Sequence, residues 1–415
     1  MNKYKINLSV PLLFIWPFGA FLMTFNNLKS KWYSFIYTLF CTLLGFSFSF
    51  KDTSADSYRV AMVFDILNVG SITSVLQKYF NGHLPDLYKN LFFSITKSFT
   101  DNPKVLFSLF GFVFGLFSYK SLKLFFGIKG LEKSFSVFIL GIVFISLNSV
   151  ININGARFWT ASIICFCCII NLIIYDKKIW MLGLFSLFLF HFSFLFIIPF
   201  LFIIYVLKSK LLSEKKTPRW IFILYISTFV FALFLSTNII NLSALSSLLP
   251  SSISRKVELY NSSDVASIYE ERGKTLFHIV SKTFGYAARI YLFFVILKIK
   301  KELQNSSTQE PQLQKLFNFV LLFFSLTFLL SLFPSGGRFV IIATQVFFFF
   351  FIRFYIKYKS NTLQRLILGL LPVYSFLILF NIVFLALNLT SSVLWYGNIF
   401  WIIYEGIGFT FVHLE

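Results

Sequence analysis

Long apolar runs, separated by short basic segments, constrain the fold of this chain more than any other feature of its sequence. The hydrocarbon core of a bilayer is about 30 Å thick, and about 20 residues of α-helix cross it. We therefore predict an all-α, polytopic integral membrane protein with about 11 spans, folded as a single transmembrane domain over residues 1–415. The predicted spans lie near residues 8–25, 32–50, 104–119, 134–153, 157–175, 220–240, 275–297, 316–333, 339–356, 366–386 and 398–413.

The composition excludes a water-soluble enzyme. Charged residues make up only 13% of the chain, whereas soluble domains carry about 25%. A net charge of +21 would suggest nucleic acid binding in a soluble protein. Here the basic residues lie between apolar runs, where membrane topology and anionic headgroups explain them. We therefore expect membrane lipids, and no nucleic acid, as partners.

The connecting segments divide into two sets by their density of Lys and Arg. The inner segments hold 21 basic residues in 68 positions and are 25–31, 120–134, 176–178, 208–219, 298–315 and 353–365. The outer segments hold 14 in 117 positions and are 1–7, 51–104, 154–157, 241–274, 334–338 and 387–399. Basic segments favour the cytoplasmic side. The segment 51–104 and the loop 241–274 are therefore predicted to be periplasmic.

The apolar run 179–207 is long for one span and short for two. Basic residues flank it on both sides, and both flanks belong to the inner segments. We therefore predict a hairpin of two short helices that breaks near His191-Phe192-Ser193. Backbone freed by such a break must be buried in protein or line a wet cavity, so His191 should lie in a polar pocket that opens outward.

Two arginines at the outer ends of predicted spans are candidate ligands for phosphate. Arg157 follows the polar run Asn152-Ile153-Asn154-Gly155-Ala156, and Arg338 follows the tight turn Pro334-Ser335-Gly336-Gly337. Arginine suits bidentate contact with phosphate, and glycine permits a positive φ and close backbone approach to a ligand. The alternatives are an interfacial anchor for Arg157 and a bare turn at Arg338.

Further candidates lie in the outer segments and the hairpin. Asp56, Tyr58 and Arg59 can hydrogen-bond sugar hydroxyls or a diphosphate, although a solvated loop also explains them. The imidazole of His191 suits general base catalysis, but a lone buried His is also often structural. The loop 241–274 adds mixed charge and tyrosines that suit carbohydrate or an exposed amphipathic helix, including Arg255, Tyr260 and Arg272.

Several chemical signatures are absent from the sequence. It has no Walker A, GxSxG or HExxH motif, and no DxD-type metal site for a nucleotide-sugar donor. The cysteines Cys41, Cys165, Cys167 and Cys168 all lie inside apolar runs without zinc-ligand spacing. We therefore expect no metal, no cofactor and no ATP use. Arg289 and His278 lie within the predicted span 275–297, where a structural pair or a cavity lining is as much expected as a functional role.

An ordered series of short motifs resembles the EpsG family, which groups with Wzy-type O-antigen and exopolysaccharide polymerases. The family usually has Gly-Thr-Asp-Tyr where this chain has Thr53-Ser54-Ala55-Asp56-Ser57-Tyr58. The motifs, in chain order, are Trp16-Pro17-Phe18-Gly19-Ala20-Phe21, Asn26-Asn27, Leu44-Gly45-Phe46-Ser47-Phe48, Asp56-Ser57-Tyr58-Arg59, Asn154-Gly155-Ala156-Arg157-Phe158-Trp159-Thr160-Ala161-Ser162, Phe190-His191-Phe192-Ser193 and Pro334-Ser335-Gly336-Gly337-Arg338-Phe339.

The resemblance implies a GT-C-like glycosyltransferase of the bacterial inner (cytoplasmic) membrane. Such an enzyme joins oligosaccharide repeat units, carried on undecaprenyl diphosphate, at the periplasmic face in polysaccharide or lipopolysaccharide biosynthesis. It is expected to need no metal and no nucleotide sugar, to invert the anomeric configuration, and to work beside a flippase and a chain-length regulator.

Within that chemistry, each candidate residue receives a role as a hypothesis. Arg157 and Arg338 would bind the diphosphate, and His191, or else Asp56, would act as general base. Glycan binding is assigned to Tyr58, Arg59, Asn154, Arg255, Tyr260 and Arg272. The alternatives are a non-enzymatic lipid-linked oligosaccharide flippase or transporter, an O-antigen ligase, and a membrane acyltransferase that uses His191. The clustering of candidates at the outer ends of spans favours glycosyl transfer at that face.

Overall fold

A computed structural model describes residues 8–53, 55–67, 70–128, 130–132, 134–212, 216–235, 254, 276–305, 310–333, 335–379, 383 and 385–408. Of these residues, 81% are helical and none forms a named strand. The first part of the chain contains α1 (Ser9–Ile15), α2 (Pro17–Met23), α3 (Lys31–Phe46), α4 (Asp56–Ile66), α5 (Ile72–Phe80), α6 (Leu87–Lys97), α7 (Pro103–Phe126), α8 (Phe135–Leu147) and α9 (Ala156–Ile169).

The second part contains α10 (Trp180–Phe190), α11 (Ile198–Leu211), α12 (Arg219–Phe234), α13 (Leu276–Asn305), α14 (Pro311–Leu330), α15 (Gly337–Tyr358), α16 (Asn361–Leu368), α17 (Leu370–Ile378), α18 (Leu385–Leu389), α19 (Val393–Tyr396) and α20 (Ile399–Ile407). Short 3₁₀ turns cover Thr24–Asn26, Val150–Gly155 and Phe192–Phe196, and a π-helical turn, Ile170–Ile174, extends α9.

Four helical stretches among the described residues are long and apolar enough to cross a membrane. They are Pro103–Phe126, Phe135–Ile174, Pro311–Leu330 and Gly337–Tyr358. The second of these, Phe135–Ile174, contains a break between α8 and the 3₁₀ turn that begins at Val150. The all-helical membrane architecture is therefore confirmed, while the total of about 11 spans and the GT-C-like fold remain predictions.

Glycines allow α3 and α7 to pack with their backbones in close contact. A Cβ on Gly45 would lie 2.0 Å from the carbonyl oxygen of Phe107, and one on Gly111 would lie 2.2 Å from that of Cys41. Small residues permit such approach between membrane helices, where van der Waals packing replaces the hydrophobic effect as the driving force. Helices α14 and α15 form the centre of the bundle, since 83% of the apolar window of each is buried.

The run 179–207 forms a broken hairpin, as its flanking charges predict. Helix α10 ends at Phe190 with His191 as its C-cap, a 3₁₀ turn follows, and α11 returns. Asp176, just before α10, pairs with Lys208 near the end of α11, and Tyr205 donates to the same carboxylate over 3.3 Å. Both basic flanks therefore lie together at the base of the hairpin, and His191 lies at its tip.

Contacts join inner segments to inner segments and outer segments to outer segments. At the inner end, Lys359 pairs with Glu132 at 2.7 Å, and the hairpin base adds the pair described above. At the outer end, the backbone N–H of Ser57 donates to Asn154 Oδ1 over 2.8 Å. The two sets therefore occupy two ends of the bundle, and which end faces the cytoplasm remains a prediction.

Candidate active site

Two adjoining cavities lie at the outer end of the bundle. The smaller, of about 250 Å³, is the arginine cavity, because Arg59, Arg157 and Arg338 line it together with Asp56 and His191. The second, of about 470 Å³, is called the larger cavity and lies between α13, α15 and the 3₁₀ turn Val150–Gly155. The residues common to both cavities form their junction and are Asp56, Asn154, Gly155 and Arg338.

A buried carboxylate orients Arg157 in the arginine cavity. Asp86 Oδ2 accepts a hydrogen bond from Arg157 Nη1 over 2.5 Å, and the Asp86 side chain is only 1% exposed. Its other oxygen, Oδ1, accepts from the backbone N–H of Phe192 over 2.8 Å. One buried charge therefore fixes both the guanidinium and the hairpin tip beside His191.

Asp86 was not among the residues predicted from the sequence. It precedes α6 in the order Pro85-Asp86-Leu87, which is the usual position of a local N-cap, but its side chain makes no cap hydrogen bond. Its charge also reaches Tyr79, whose pKa is raised to about 12 by burial and by the nearby Asp86 carboxylate. Lys89, one turn further along α6, also lines the arginine cavity.

The ring of His191 is held by contacts on several sides. Its edge meets the ring of Phe158 with centroids 5.6 Å apart and planes at 89°. The hydroxyl of Ser193 lies 2.7 Å from Nδ1, and the backbone N–H of Ser193 donates to the same nitrogen over 3.3 Å. Because a backbone donor requires a lone pair on Nδ1, the neutral ring carries its proton on Nε2.

Asp56 lies between two guanidinium groups at the junction. Arg59 Nη2 donates to Asp56 Oδ1 over 2.5 Å, and Arg338 Nη2 lies 4.0 Å from Oδ2. The guanidinium of Arg338 also stacks over the ring of Phe158, 5.6 Å from its centroid. These side chains are partly exposed, so this charged cluster remains accessible to a ligand entering either cavity.

Two glycine positions keep the junction open and the turn tight. A Cβ on Gly155 would lie 3.0 Å from the ring of Trp159 and 3.5 Å from Asp56 Oδ2. A Cβ on Gly336 would lie 1.8 Å from the carbonyl oxygen of Leu330, so the turn before Arg338 requires glycine there. Glycine permits a positive φ in this turn, but the residue that adopts one is Ser335, with a φ of 60°.

The structure brings some of the predicted glycan-binding residues to the cavities and leaves others away from them. Asn154 and Arg59 line the arginine cavity. Tyr58 is 8% exposed, packs in the core and does not line either of the two cavities. The predictions for Arg255, Tyr260 and Arg272 lie outside the described residues. Within the described part of the chain, no cluster of three or more His, Cys, Asp or Glu side chains could hold a metal.

Comparison with known proteins gives one match. The model of the EpsG family matches residues 82–402, which is most of the chain and includes Asp86, Arg157, His191 and Arg338. Neither the curated proteins nor the solved structures contain a match.

Proposed function

The chain belongs to the EpsG family, a family of Wzy-like polymerases, and on that premise we propose that it polymerises lipid-linked glycan repeat units. The products would be O antigen or exopolysaccharide, made from undecaprenyl diphosphate-linked units at the periplasmic face of the inner membrane. The observation that carries the proposal is the shared cavity of Arg157, His191, Arg338 and Asp56, formed by four separate parts of the chain.

The proposed reaction is a single displacement at an anomeric carbon. The oxygen of an acceptor hydroxyl bonds to that carbon while the bond between the same carbon and the donor's lipid diphosphate breaks. The configuration at the carbon inverts. Negative charge grows on the leaving diphosphate, and fixed cations aimed at that charge lower the barrier. Arg157 and Arg338 line the cavity from different elements and can contact the two phosphates from different sides.

We assign the base to Asp56 and a donor role to His191. The backbone contact at Nδ1 leaves the proton of the neutral His191 ring on Nε2, and a protonated nitrogen suits donation to a phosphate oxygen rather than proton abstraction. Asp56 lies at the junction, and its Oδ2 is the oxygen farther from a cation, since Arg59 contacts Oδ1. Asp56 can therefore accept the proton that the acceptor hydroxyl loses.

Purified protein, supplied with lipid-linked repeat units in detergent, tests this proposal. Arg338→Ala should reduce polymer formation about 10²–10³-fold, the usual effect of removing one donor to a developing oxyanion. Lys359→Ala is the matched control, because it removes an ion-paired cation at the inner end and should leave the rate unchanged. Polymer made in detergent requires no transport, so its formation also separates a polymerase from a flippase.

The pH–rate profile separates the two candidate bases. Asp56→Asn should lower turnover about 10²–10⁴-fold, the range for a general base, and remove the acidic limb of the profile. His191→Ala should lower the rate but retain that limb. The reverse result would return the base to His191, and normal polymerisation by both Asp56→Asn and Arg338→Ala would refute the proposed site.

A further inference from the structure

The larger cavity contains a cation that the proposed reaction does not use. Arg289 lines this cavity from α13, beside Gly337 of α15, where a Cβ would lie 3.6 Å from Arg289 Nη2. Its guanidinium lies 5.6 Å from the ring centroid of Tyr286. No carboxylate pairs with Arg289 among the residues that the structure describes. Arg289 lies in the predicted span 275–297, and an ionisable group within a span is costly and usually serves a ligand.

One face of α13 forms the wall that carries this cation. Gly285, Ala288, Arg289 and Leu292 all line the cavity, and their spacing of i, i+3, i+4 and i+7 places them on one side of the helix. A Cβ on Gly285 would meet nothing within 4 Å, so the wall is open at that point. The arginine therefore lies in a recess bordered by small side chains, with space for a ligand group beside it.

The other walls of the cavity suit a sugar. Trp159 offers an aromatic ring, and Asn152, Thr344 and Tyr374 offer hydrogen-bonding groups. The volume of about 470 Å³ lies within the range of about 300–1,000 Å³ for ligand pockets. The cavity also reaches the junction at Asp56, where the attacking hydroxyl would be placed under the proposed function.

We propose that Arg289 binds an oxyanion carried by the lipid-linked acceptor. This inference rests on the proposed function, because it places the acceptor in the larger cavity with its hydroxyl at Asp56. Arginine recognises a carboxylate or a phosphate bidentately. The oxyanion is thus either the carboxylate of an acidic sugar or the acceptor's own diphosphate.

Binding measurements on the purified full chain test this inference without requiring polymerisation. The probes are p-nitrophenyl glucuronide, its neutral counterpart p-nitrophenyl glucoside, and farnesyl diphosphate, measured by equilibrium dialysis. For an acidic-sugar site, wild type should bind the glucuronide about tenfold more tightly than the glucoside, which equals about 1.4 kcal/mol. Arg289→Met should abolish that preference, and Arg289→Lys should retain part of it.

Two controls show whether a loss is specific. Lys282→Met removes a cation from an exposed position on the same helix and should leave all three affinities unchanged. The double variant Asp86→Asn/Arg157→Gln removes this arginine without leaving a buried carboxylate charge, and it should weaken the binding of farnesyl diphosphate alone, since Arg157 belongs to the arginine cavity. Because Arg289 has no carboxylate partner in the described chain, Arg289→Met should not lower the melting temperature, whereas a structural role predicts a lower one.

If Arg289→Met loses the preference for the glucuronide, the oxyanion that Arg289 binds is the carboxylate of an acidic sugar. If the variant instead binds farnesyl diphosphate more weakly, the oxyanion is the acceptor's diphosphate. Unchanged affinities for all three probes would overturn the inference. If the probes behave as expected but wild type makes no polymer from lipid-linked units, the anion site stands and the proposed function fails.

Discussion

The two ends of the broken hairpin 179–207 are fixed by ion pairs that differ in burial. At its base, Asp176 pairs with Lys208, and the Asp176 side chain is 62% exposed. At its tip, Asp86 is 1% exposed and holds Arg157 together with the backbone N–H of Phe192. Exposed pairs are worth about 0–1 kcal/mol, whereas breaking a buried pair leaves an uncompensated charge in a site that water does not reach.

This contrast assigns the two pairs different tasks. The base pair joins two helix ends that their own apolar packing already brings together, so it is replaceable. The tip pair contributes a guanidinium to the arginine cavity and restrains the residue after His191. A buried carboxylate with both oxygens engaged is therefore the element that positions the candidate site, and Asp86 acts as a positioning residue rather than a catalytic one.

The largest expected difference between base and tip comes from breaking the tip pair. Arg157→Gln should lower polymer formation about 10²–10³-fold and destabilise the protein by about 3–5 kcal/mol, because the charge of Asp86 stays buried after the guanidinium that neutralises it is removed. Polymer yield and thermal unfolding in detergent measure the two effects. The double variant Asp86→Asn/Arg157→Gln should regain most of the lost stability and none of the activity.

That double variant separates structure from chemistry at the tip. Recovery of both stability and activity would mean that Arg157 has no contact with the substrate and that the pair only supports the fold. At the base, the matching variant Asp176→Asn should retain wild-type polymer yield. If the base and tip variants lost polymer yield equally, the two ion pairs would not differ in their tasks.

An intermediate effect is expected from the hydroxyl that contacts His191. Ser193→Ala removes a contact worth about 1 kcal/mol, which corresponds to about fivefold in rate, and it retains the backbone N–H donor to Nδ1. Turnover measured across pH checks this prediction. Ser186→Ala is the control, because Ser186 lies in the same hairpin but donates to the carbonyl of Gly183. Equal effects of the two variants would show that Ser193 does not act through His191.

The base of the hairpin could be predicted from the sequence, whereas its tip could be predicted only in part. Flanking Lys residues and the length of the apolar run give a hairpin with His191 at the break, because the cost of crossing a bilayer acts on every residue of such a run. The same reasoning locates Arg157 and Arg338, whose charges stand out at the ends of spans.

The contacts that join distant segments at the site leave no periodic pattern in the sequence. Asp86 is distant in sequence from both Arg157 and Phe192, and its local context favours a helix cap. Tyr58, in contrast, has the residue type that suits carbohydrate but lies in the core. Tertiary packing therefore decides which polar residues line the cavities, and one sequence without its fold does not reveal that choice.

The smallest expected effect is the pH dependence of the base pair. The hydrogen bond from Lys208 lowers the pKa of Asp176 below its usual value of 3.8. A carboxyl whose pKa is lower in the folded state stabilises the protein above its unfolded pKa, and this contribution is lost as the pH falls through the folded value.

Because Asp176 is exposed to solvent, the contribution is small and salt-sensitive. The melting temperatures of wild type and Asp176→Asn should therefore differ slightly near neutral pH and converge once the pH falls below the lowered pKa of Asp176, with polymer yield equal for both. A lasting difference at that acidity would mean that Asp176 supports the hairpin base through packing rather than through its charge.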